Sequence, residues 1–219
     1  MVISRTMDQE ILALENEVIA IGQLVEVAIS RAITALVHRD TLLAKSVVSD
    51  DYYIDHAEVQ LQEHCVSVLE NARPVGSELR FVIAVLKIND SLERIGDLAE
   101  NVAAIIADVG DWERFTKVGG LNELAEMAQH MVNQSLSALI HRDTELAHKV
   151  IRQDDKVDAS QKRILEKIEY EIDRIPENAP PLMRLEHVTR QFERIGDISC
   201  NIAEEVIYLV DGEIVRHKV

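Results

Sequence analysis

The chain is poor in aromatic, proline, glycine and cysteine residues, and each shortage excludes something. Aromatics are 4% of its 219 residues, and it has four prolines, eight glycines and two cysteines. Few glycines and prolines leave long stretches free to form uninterrupted helices, and a core with few aromatics must be built from aliphatic side chains. With 47% hydrophobic residues, the chain can fill one large domain or two of about 100 residues.

Basic residues are scarce as well. Lysine and arginine number 23 against 39 aspartates and glutamates, so the formal net charge is −16. A nucleic-acid partner requires a basic patch, so we expect no DNA or RNA binding. We find no run of 18 uncharged apolar residues and no signal-peptide layout, and so expect no integral membrane protein. Cys65 and Cys200 lie in apolar helical contexts, typical of reduced packing residues in a cytoplasmic protein.

Two motifs occur twice, which indicates an internal duplication. Glu-Arg-Ile-Gly-Asp stands at 93–97 and again at 193–197, followed by Asn101 and Asn201. A second motif, His-Arg-Asp-Thr, occurs at 38–41 and at 141–144. Because both motifs recur in the same order, the chain is a full-length duplication of a unit of about 100 residues.

Each copy of the repeat has three long segments with apolar residues at helical spacing. The pattern predicts one helix ending near His38, then helices over 41–71 and 77–109, and in the second copy one ending near His141, then helices over 143–175 and 181–210. We therefore predict an all-α fold of two tandem, duplicated three-helix bundles with six long helices. Residues 1–112 form the first bundle and 113–219 the second.

Acidic pairs at helical i, i+4 spacing are the most informative feature of the sequence. Glu93 and Asp97 share one face of a helix, and Asp51 and Asp55 share a face of the preceding helix. Like charges at this spacing cost about 0.2–0.5 kcal/mol per pair, and a mid-helix glycine such as Gly96 costs about 0.8–1.0 kcal/mol. An acidic pair alone is usually a solvated face, but four pairs in duplicated register favour cation binding.

Neighbouring helices that bring these pairs together would form one carboxylate site in each copy. Oxygen ligands favour Mg, Mn, Ca or ferric iron, whereas zinc usually prefers nitrogen or sulfur. Four or five carboxylates can bridge more than one ion. The candidate ligands are Asp51, Asp55, Asp90, Glu93, Asp97, Asp154, Asp158, Glu193 and Asp197, with Asn101 and Asn201 as further ligands or as hydrogen-bond partners of the acids.

The two copies differ at one acidic position. Arg190 stands where the first copy has Asp90, so we expect the second site to be less negative and to hold fewer ions. Glu186 lies on roughly the same face and is a candidate replacement. As an alternative to metal binding, Arg94 and Arg194 could neutralise the acids in a salt-bridge network.

These motifs resemble those of the PhoU family of phosphate-uptake regulators. The resemblance spans nearly the whole chain and rests on the paired acidic motifs, the His-Arg-Asp turns, Leu-Glu-Arg-Ile-Gly-Asp at 92–97, Asp-Lys-Val-Asp at 155–158 and Tyr-Leu-Val-Asp-Gly at 208–212. It implies two similar three-helix bundles and multinuclear metal sites. Iron is then the first candidate, with Mn, Mg, Ca and Zn as alternatives.

The resemblance also implies a cytoplasmic negative regulator that forms a homodimer. Such a protein would link the cytoplasmic components of a phosphate ABC transporter to a sensor histidine kinase. We find no nucleophile–base pair, phosphate-cradling glycine loop or nucleotide motif, so we expect no catalytic residues and no enzyme. The residues alone leave two alternatives open: a metal-dependent phosphoester hydrolase or iron-handling protein, and a metal-free helical scaffold.

Overall fold

The fold is all helical, as the sequence predicts. A computed structural model describes residues 6–215, and over these residues it contains eight α-helices, one short 3-10 helix (Pro176–Asn178) and no strand. The α-helices are α1 (Met7–His38), α2 (Thr41–Asp50), α3 (Tyr52–Asn71), α4 (Ser77–Ala107), α5 (Trp112–Phe115), α6 (Leu121–His141), α7 (Thr144–Arg174) and α8 (Ala179–Asp211).

Helices α4 and α8, the last long helix of each copy, pack against each other at the centre of the molecule. Helices α1, α2 and α3 pack on α4, whereas α6 and α7 pack on α8, and α1 also contacts α6. Lys87 near the start of α4 pairs with Glu205 near the end of α8 at 3.2 Å. Asn101 further along α4 shares a groove with Gln191 of α8. The two central helices are therefore antiparallel. The boundary between residues 112 and 113 stays a prediction.

The central helices are built on apolar residues at alternating steps of three and four. In α4 the fully or nearly fully buried positions of this series are Phe81, Val85, Ile88, Leu92, Ile95, Ala99, Val102 and Ile106. This spacing keeps one stripe of the helix against its neighbours. Aliphatic residues dominate the core, and each buried large side chain contributes about 1.5–3 kcal/mol through its removal from water.

The two His-Arg-Asp turns have the same local structure. Arg39 and Arg142 adopt left-handed backbone conformations, with φ of 57° and 51°, and end α1 and α6. The carboxylate of Asp40 accepts hydrogen bonds from two backbone N–H groups at the start of α2, and Asp143 accepts one at the start of α7. These are the N-cap contacts that satisfy otherwise unpaired backbone donors. The turn from α1 to α2 and the turn from α6 to α7 are therefore stabilised in the same way.

One helix prediction is wrong in detail. The segment 41–71 is not a single helix, because α2 ends at Asp50 and α3 begins at Tyr52. Between them Asp51 keeps helical angles (φ −57°, ψ −33°), and its carbonyl accepts an i+3 bond from the N–H of Ile54 at 2.8 Å. The equivalent helix α7 is continuous through Asp154. The predicted connection at 111–120 also contains the short helix α5.

Helix α1 corrects the reasoning on membrane spans. Among the described residues it is the one helix long and apolar enough, by length and composition, to cross a membrane, and 44% of its most apolar window is buried. A search for entirely uncharged runs missed it. Glu15 on this helix pairs with Arg142 at 3.4 Å and Glu17 with His64 at 2.9 Å. Its other face packs on α3, α4 and α6, as expected of a core helix.

We predict that Gly22→Val lowers the free energy of unfolding by about 1–3 kcal/mol. A Cβ at Gly22 would lie 2.8 Å from Cδ2 of Leu136, so a larger residue must displace the buried Leu136 side chain from its packed position between α1 and α6. Urea unfolding measures the change. Gly110, where an added Cβ meets nothing within 4 Å, gives the matched control Gly110→Val. A loss as small in Gly22→Val as in the control would contradict the close contact between α1 and α6.

Candidate metal centre

A close helix–helix approach brings the predicted carboxylates together in each bundle. A Cβ added at Gly96 would lie 3.1 Å from Cδ1 of Ile54 and 3.5 Å from Oδ1 of Asp51. At the repeat-related Gly196 it would lie 3.7 Å from Oδ1 of Asp154. Glycine in each motif therefore allows the preceding helix to pack closely on α4 or α8. The acids of that helix then lie beside the acids of the motif.

The first cluster joins Asp51 and Asp55 to three acids of α4. Oxygens of Asp55, Glu93 and Asp97 lie within 4.8 Å of one another, and so do oxygens of Asp51, Asp97 and Glu100. Asp97 belongs to both groups. The arrangement offers two adjacent oxygen-rich positions that share one carboxylate, as a site for more than one hard cation requires.

The second cluster is smaller. Oxygens of Asp154 and Asp158 of α7 lie within 4.8 Å of each other and of an oxygen of Asp197 of α8. Oδ1 of Asp154 is buried and has no hydrogen-bond partner within residues 6–215. A buried carboxylate oxygen without a partner costs free energy, and a cation would remove that cost. Glu193 lies close enough for all three aspartates to affect its pKa.

The first cluster holds its carboxylates in a costly electrostatic state. Burial, followed by the charges of Asp55, Glu100 and Asp97, raises the pKa of Asp51 to about 6. Burial raises the pKa of Glu93 to about 7, together with the charges of neighbouring acids, of which Asp97 has the largest effect. No cation is among the causes of these shifts. The cluster thus takes up protons near neutral pH or binds a cation instead.

The second cluster shows the same effect with partial compensation. Burial, then the charges of Asp197 and Asp158, raises the pKa of Asp154 to about 6. The pKa values of Glu193 and Asp197 are also raised, mainly by burial, but the charge of Arg194 partly offsets the rise at both. Arg194 therefore compensates part of the negative charge of the second cluster, and the expectation that this cluster holds fewer ions stays a prediction.

Two positions of the repeat that sequence reasoning missed increase the difference between the clusters. Glu58 and Glu100 belong to the first cluster, because each perturbs or is perturbed by its acids. In the second copy the repeat places Gln161 and Cys200 at these positions. Helical spacing contained the signal, since Glu58 follows Asp55 by three residues and Glu100 follows Asp97 by three. The Cys200 thiol interacts with Asp154, and burial raises its pKa.

The remaining predicted residues lie at the edge of the clusters. Asp90 raises the pKa of Glu93 and lines a groove between α4 and α8, as Asn201 does. The amide of Asn101 donates to the backbone carbonyl of Asp97 at 2.8 Å. The ligand roles of these three residues stay predictions. Glu186, the candidate replacement for Asp90, accepts hydrogen bonds from Arg190 at 2.9 and 3.1 Å, and its role as a ligand also stays a prediction.

The salt-bridge alternative finds little support in the described part of the chain. The ion pairs found there involve neither Arg94 nor Arg194. Both arginines are exposed, and only Arg194 affects the pKa of a cluster acid. Within the described residues, the acids of the first cluster therefore lack a side-chain cation to neutralise them, and Arg194 offsets the charge of the second cluster only in part. Their oxygen-rich ligand sets fit hard cations, and the thiol adds a soft donor beside the second.

Comparison with known proteins gives one consistent result. The model of the PhoU domain matches residues 18–106 and again 121–206. The PhoU homolog of Aquifex aeolicus (strain VF5), a phosphate-specific transport system accessory protein, is 34% identical over 93% of this chain and 92% of its own length. The accessory protein PhoU of Escherichia coli (strain K12) is 30% identical over 98% of this chain and 89% of its own.

Solved structures agree with the sequence comparisons. The crystal structure of PhoU from Pseudomonas aeruginosa superposes with a TM-score of 0.90 at 32% identity, covering 95% of this chain and all of that one. The phosphate transport system regulatory protein PhoU from Streptococcus pneumoniae gives 0.87 at 25% identity, covering 96% and 99%. The duplicated family match, the full-length relatives and the shared fold together show that this chain belongs to the PhoU family.

Proposed function

We propose that this protein is a metal-binding, non-enzymatic regulator of phosphate transport. The observation that carries the proposal is the pair of carboxylate clusters at repeat-related positions, each spanning two helices. Acids with pKa values near 6 and 7 have little reason to persist in both copies unless a ligand offsets their repulsion.

Several features support a multinuclear first site. Asp97 belongs to two three-carboxylate groups, so Asp51 and Glu100 would hold one cation, Asp55 and Glu93 would hold another, and Asp97 is available to both. Ferric iron is the first candidate, and Mn, Mg and Ca share its preference for oxygen. The second site has fewer acids and a neighbouring thiol, Cys200, which favours fewer ions and makes zinc more acceptable there.

A bound cation would supply positive charge where only negative charge converges. Through the cation, Asp51 and Asp55 would connect the α2–α3 segment to Glu93 and Asp97 of α4. In the second bundle, α7 is held to α8 in the same way. A bound metal would thereby fix the relative position of these helices.

The partner assignment rests on the relatives. Their names describe accessory proteins of the phosphate-specific transport system. We propose that this chain acts in the cytoplasm as a homodimer and links the cytoplasmic components of a phosphate ABC transporter to a sensor histidine kinase as a negative regulator. The alternative, a phosphoester hydrolase, requires open metal positions beside a nucleophile, and no arrangement of described residues favours it.

Elemental analysis of gently purified protein tests the metal proposal. We expect the double variant Asp97→Asn/Asp197→Asn to retain at least tenfold less metal per chain, because each substitution removes a carboxylate from the candidate ligands of its cluster. Asp97→Asn alone should lose more metal than Asp197→Asn, since Asp97 serves two ligand groups. Glu166→Gln, at an exposed position outside both clusters, is the matched control. Equally negligible metal in wild type and double variant would remove the proposal.

The raised pKa values predict how the stability of the metal-free protein depends on pH. Folded pKa values near 6 and 7 exceed unfolded values of about 4, so between about pH 4 and 7 the folded state binds more protons. The stability these acids contribute is present at low pH and is lost as the pH rises through 6 to 7. Partial solvent exposure limits the total effect to roughly 1–2 kcal/mol.

We therefore expect Glu93→Gln to stabilise the metal-free protein at pH 7.5 and to change its stability little at pH 5. The glutamine removes a charge whose burial and repulsion oppose folding at the higher pH. Thermal unfolding of chelated protein at both pH values measures the effect, with Glu166→Gln as the control. A Glu93→Gln change of the same size at both pH values would refute the electrostatic account of the cluster.

The regulatory role predicts metal-dependent association with the transporter. The purified chain should retain the detergent-solubilised phosphate ABC transporter of its own organism in a pull-down, and prior chelation should reduce the retained amount at least fivefold. The cytoplasmic domain of the cognate sensor kinase serves as a second bait. If metal-loaded protein retained neither bait, the proposed link between transporter and kinase would be refuted, whereas the metal-binding proposal would stand.

A further inference from the structure

A groove runs along the contact between α4 and α8, beside the first carboxylate cluster, with which it shares Asp97. It has a volume of about 370 Å³, enough for roughly ten waters by their share of liquid volume. Both arginines of the duplicated motif line it. The complete lining is Arg94, Asp97, Leu98, Asn101, His187, Gln191, Arg194 and Ile198. The two copies of the repeat therefore place the same cationic residue at one site.

The repeat explains this convergence. Because α4 and α8 are antiparallel copies of one helix, a pseudo-two-fold relation maps each onto the other. A neighbouring groove of about 570 Å³ contains Arg94 again, with Lys87 and Asn201 at the positions equivalent to His187 and Asn101. The grooves are thus two versions of one site on either side of the pseudo-two-fold axis.

Unlike many other arginines of the protein, Arg94 and Arg194 are not engaged by carboxylates at short range. Arg31 pairs with Asp50 at 2.7 Å and Arg190 with Glu186 at 2.9 Å. The ion pairs found within residues 6–215 include neither motif arginine, although the charge of Arg194 lowers the pKa of Glu193 and of Asp197. Their exposed guanidinium groups keep all their donors available. Such groups suit the bidentate binding of tetrahedral oxyanions.

We propose that this groove binds inorganic phosphate, with Arg94 and Arg194 as its two cationic ligands. The further polar groups suit this ligand. His187 and the nearly buried Gln191 are hydrogen-bonded to each other at 3.0 Å, so the two α8 side chains form a fixed polar wall. The amide of Asn101, held to the backbone of Asp97 at 2.8 Å, fixes the opposite side.

Asp97 gives the groove a means to select phosphate. An ionised carboxylate is an acceptor only, so it repels an oxyanion without a proton but accepts a hydrogen bond from the P–OH of monohydrogen phosphate. Sulfate at neutral pH has no such proton. The neighbouring groove fits less well, because it contains both Asp90 and Glu204 and its Lys87 is paired with Glu205 at 3.2 Å. One phosphate per chain follows.

This inference goes beyond the proposed metal function and does not depend on it. Isothermal titration of the full chain with inorganic phosphate, after chelation and dialysis at low ionic strength, tests it. We expect saturable binding of one phosphate per chain. The double variant Arg94→Gln/Arg194→Gln should weaken phosphate binding at least tenfold. The variant Arg94→Lys/Arg194→Lys keeps both positive charges but cannot form bidentate hydrogen bonds, so it should lose less affinity.

Arg163→Gln, which removes an exposed arginine outside the groove, should bind phosphate as wild type does. Sulfate should bind wild type at least tenfold more weakly than phosphate. Circular dichroism confirms that each variant is folded. Absence of saturable binding, unchanged affinity in the double glutamine variant or equal affinity for sulfate would each overturn the assignment.

Two further variants separate this site from the metal clusters. The variant Asp154→Asn/Asp158→Asn changes two residues that do not line the groove. It should lose metal from the second cluster but keep its affinity for phosphate. In phosphate-free buffer, the double glutamine variant should have the same metal content as the wild type by elemental analysis. A common loss of both ligands in either variant would contradict two separate sites.

Discussion

Repulsion between carboxylates held together across a helix–helix contact is the constraint on which the rest of this structure depends. Gly96 and Gly196 permit the approach, since a side chain at either position would press on the neighbouring helix. The apolar stripes of α4 and α8 make that approach favourable, and the acids are carried along with it. The result is a fold whose hydrophobic contacts and charges oppose each other at the same place. Such a conflict between favourable hydrophobic packing and unfavourable charge repulsion is typical of a functional site.

Both copies of the repeat bring carboxylates together, but the repulsion is weaker in the second copy because it has fewer acids. The second copy keeps the central acids and replaces three outlying ones, so that Gln161, Arg190 and Cys200 stand where the first has Glu58, Asp90 and Glu100. The helix that carries the first pair is interrupted at Asp51, whereas α7 runs unbroken past Asp154. One copy has thus kept a large acidic site with a locally irregular backbone, and the other a smaller site on a regular helix.

Much of this arrangement follows from the sequence, because helical periodicity and exact repetition are local signals. The all-α fold, the duplicated turns and the pairing of Asp51 and Asp55 with Glu93 and Asp97 could be predicted in this way. The break at Asp51 could not, since the sequence has no proline or glycine there and Asp51 itself keeps helical angles. Cys200 looked like a packing residue because its distance to Asp154 is a tertiary fact. The meeting of Arg94 with Arg194 required knowledge that α4 and α8 cross as antiparallel neighbours.

Asp97 belongs both to the two acid groups of the first cluster and to the lining of the groove beside Arg94. A cation on that carboxylate cancels the charge that an approaching anion meets. By thermodynamic reciprocity, an anion beside it would strengthen the hold on the cation by the same factor. One side chain would then make the two occupancies cooperative, so that the protein responds to the product of two ion concentrations rather than to either alone.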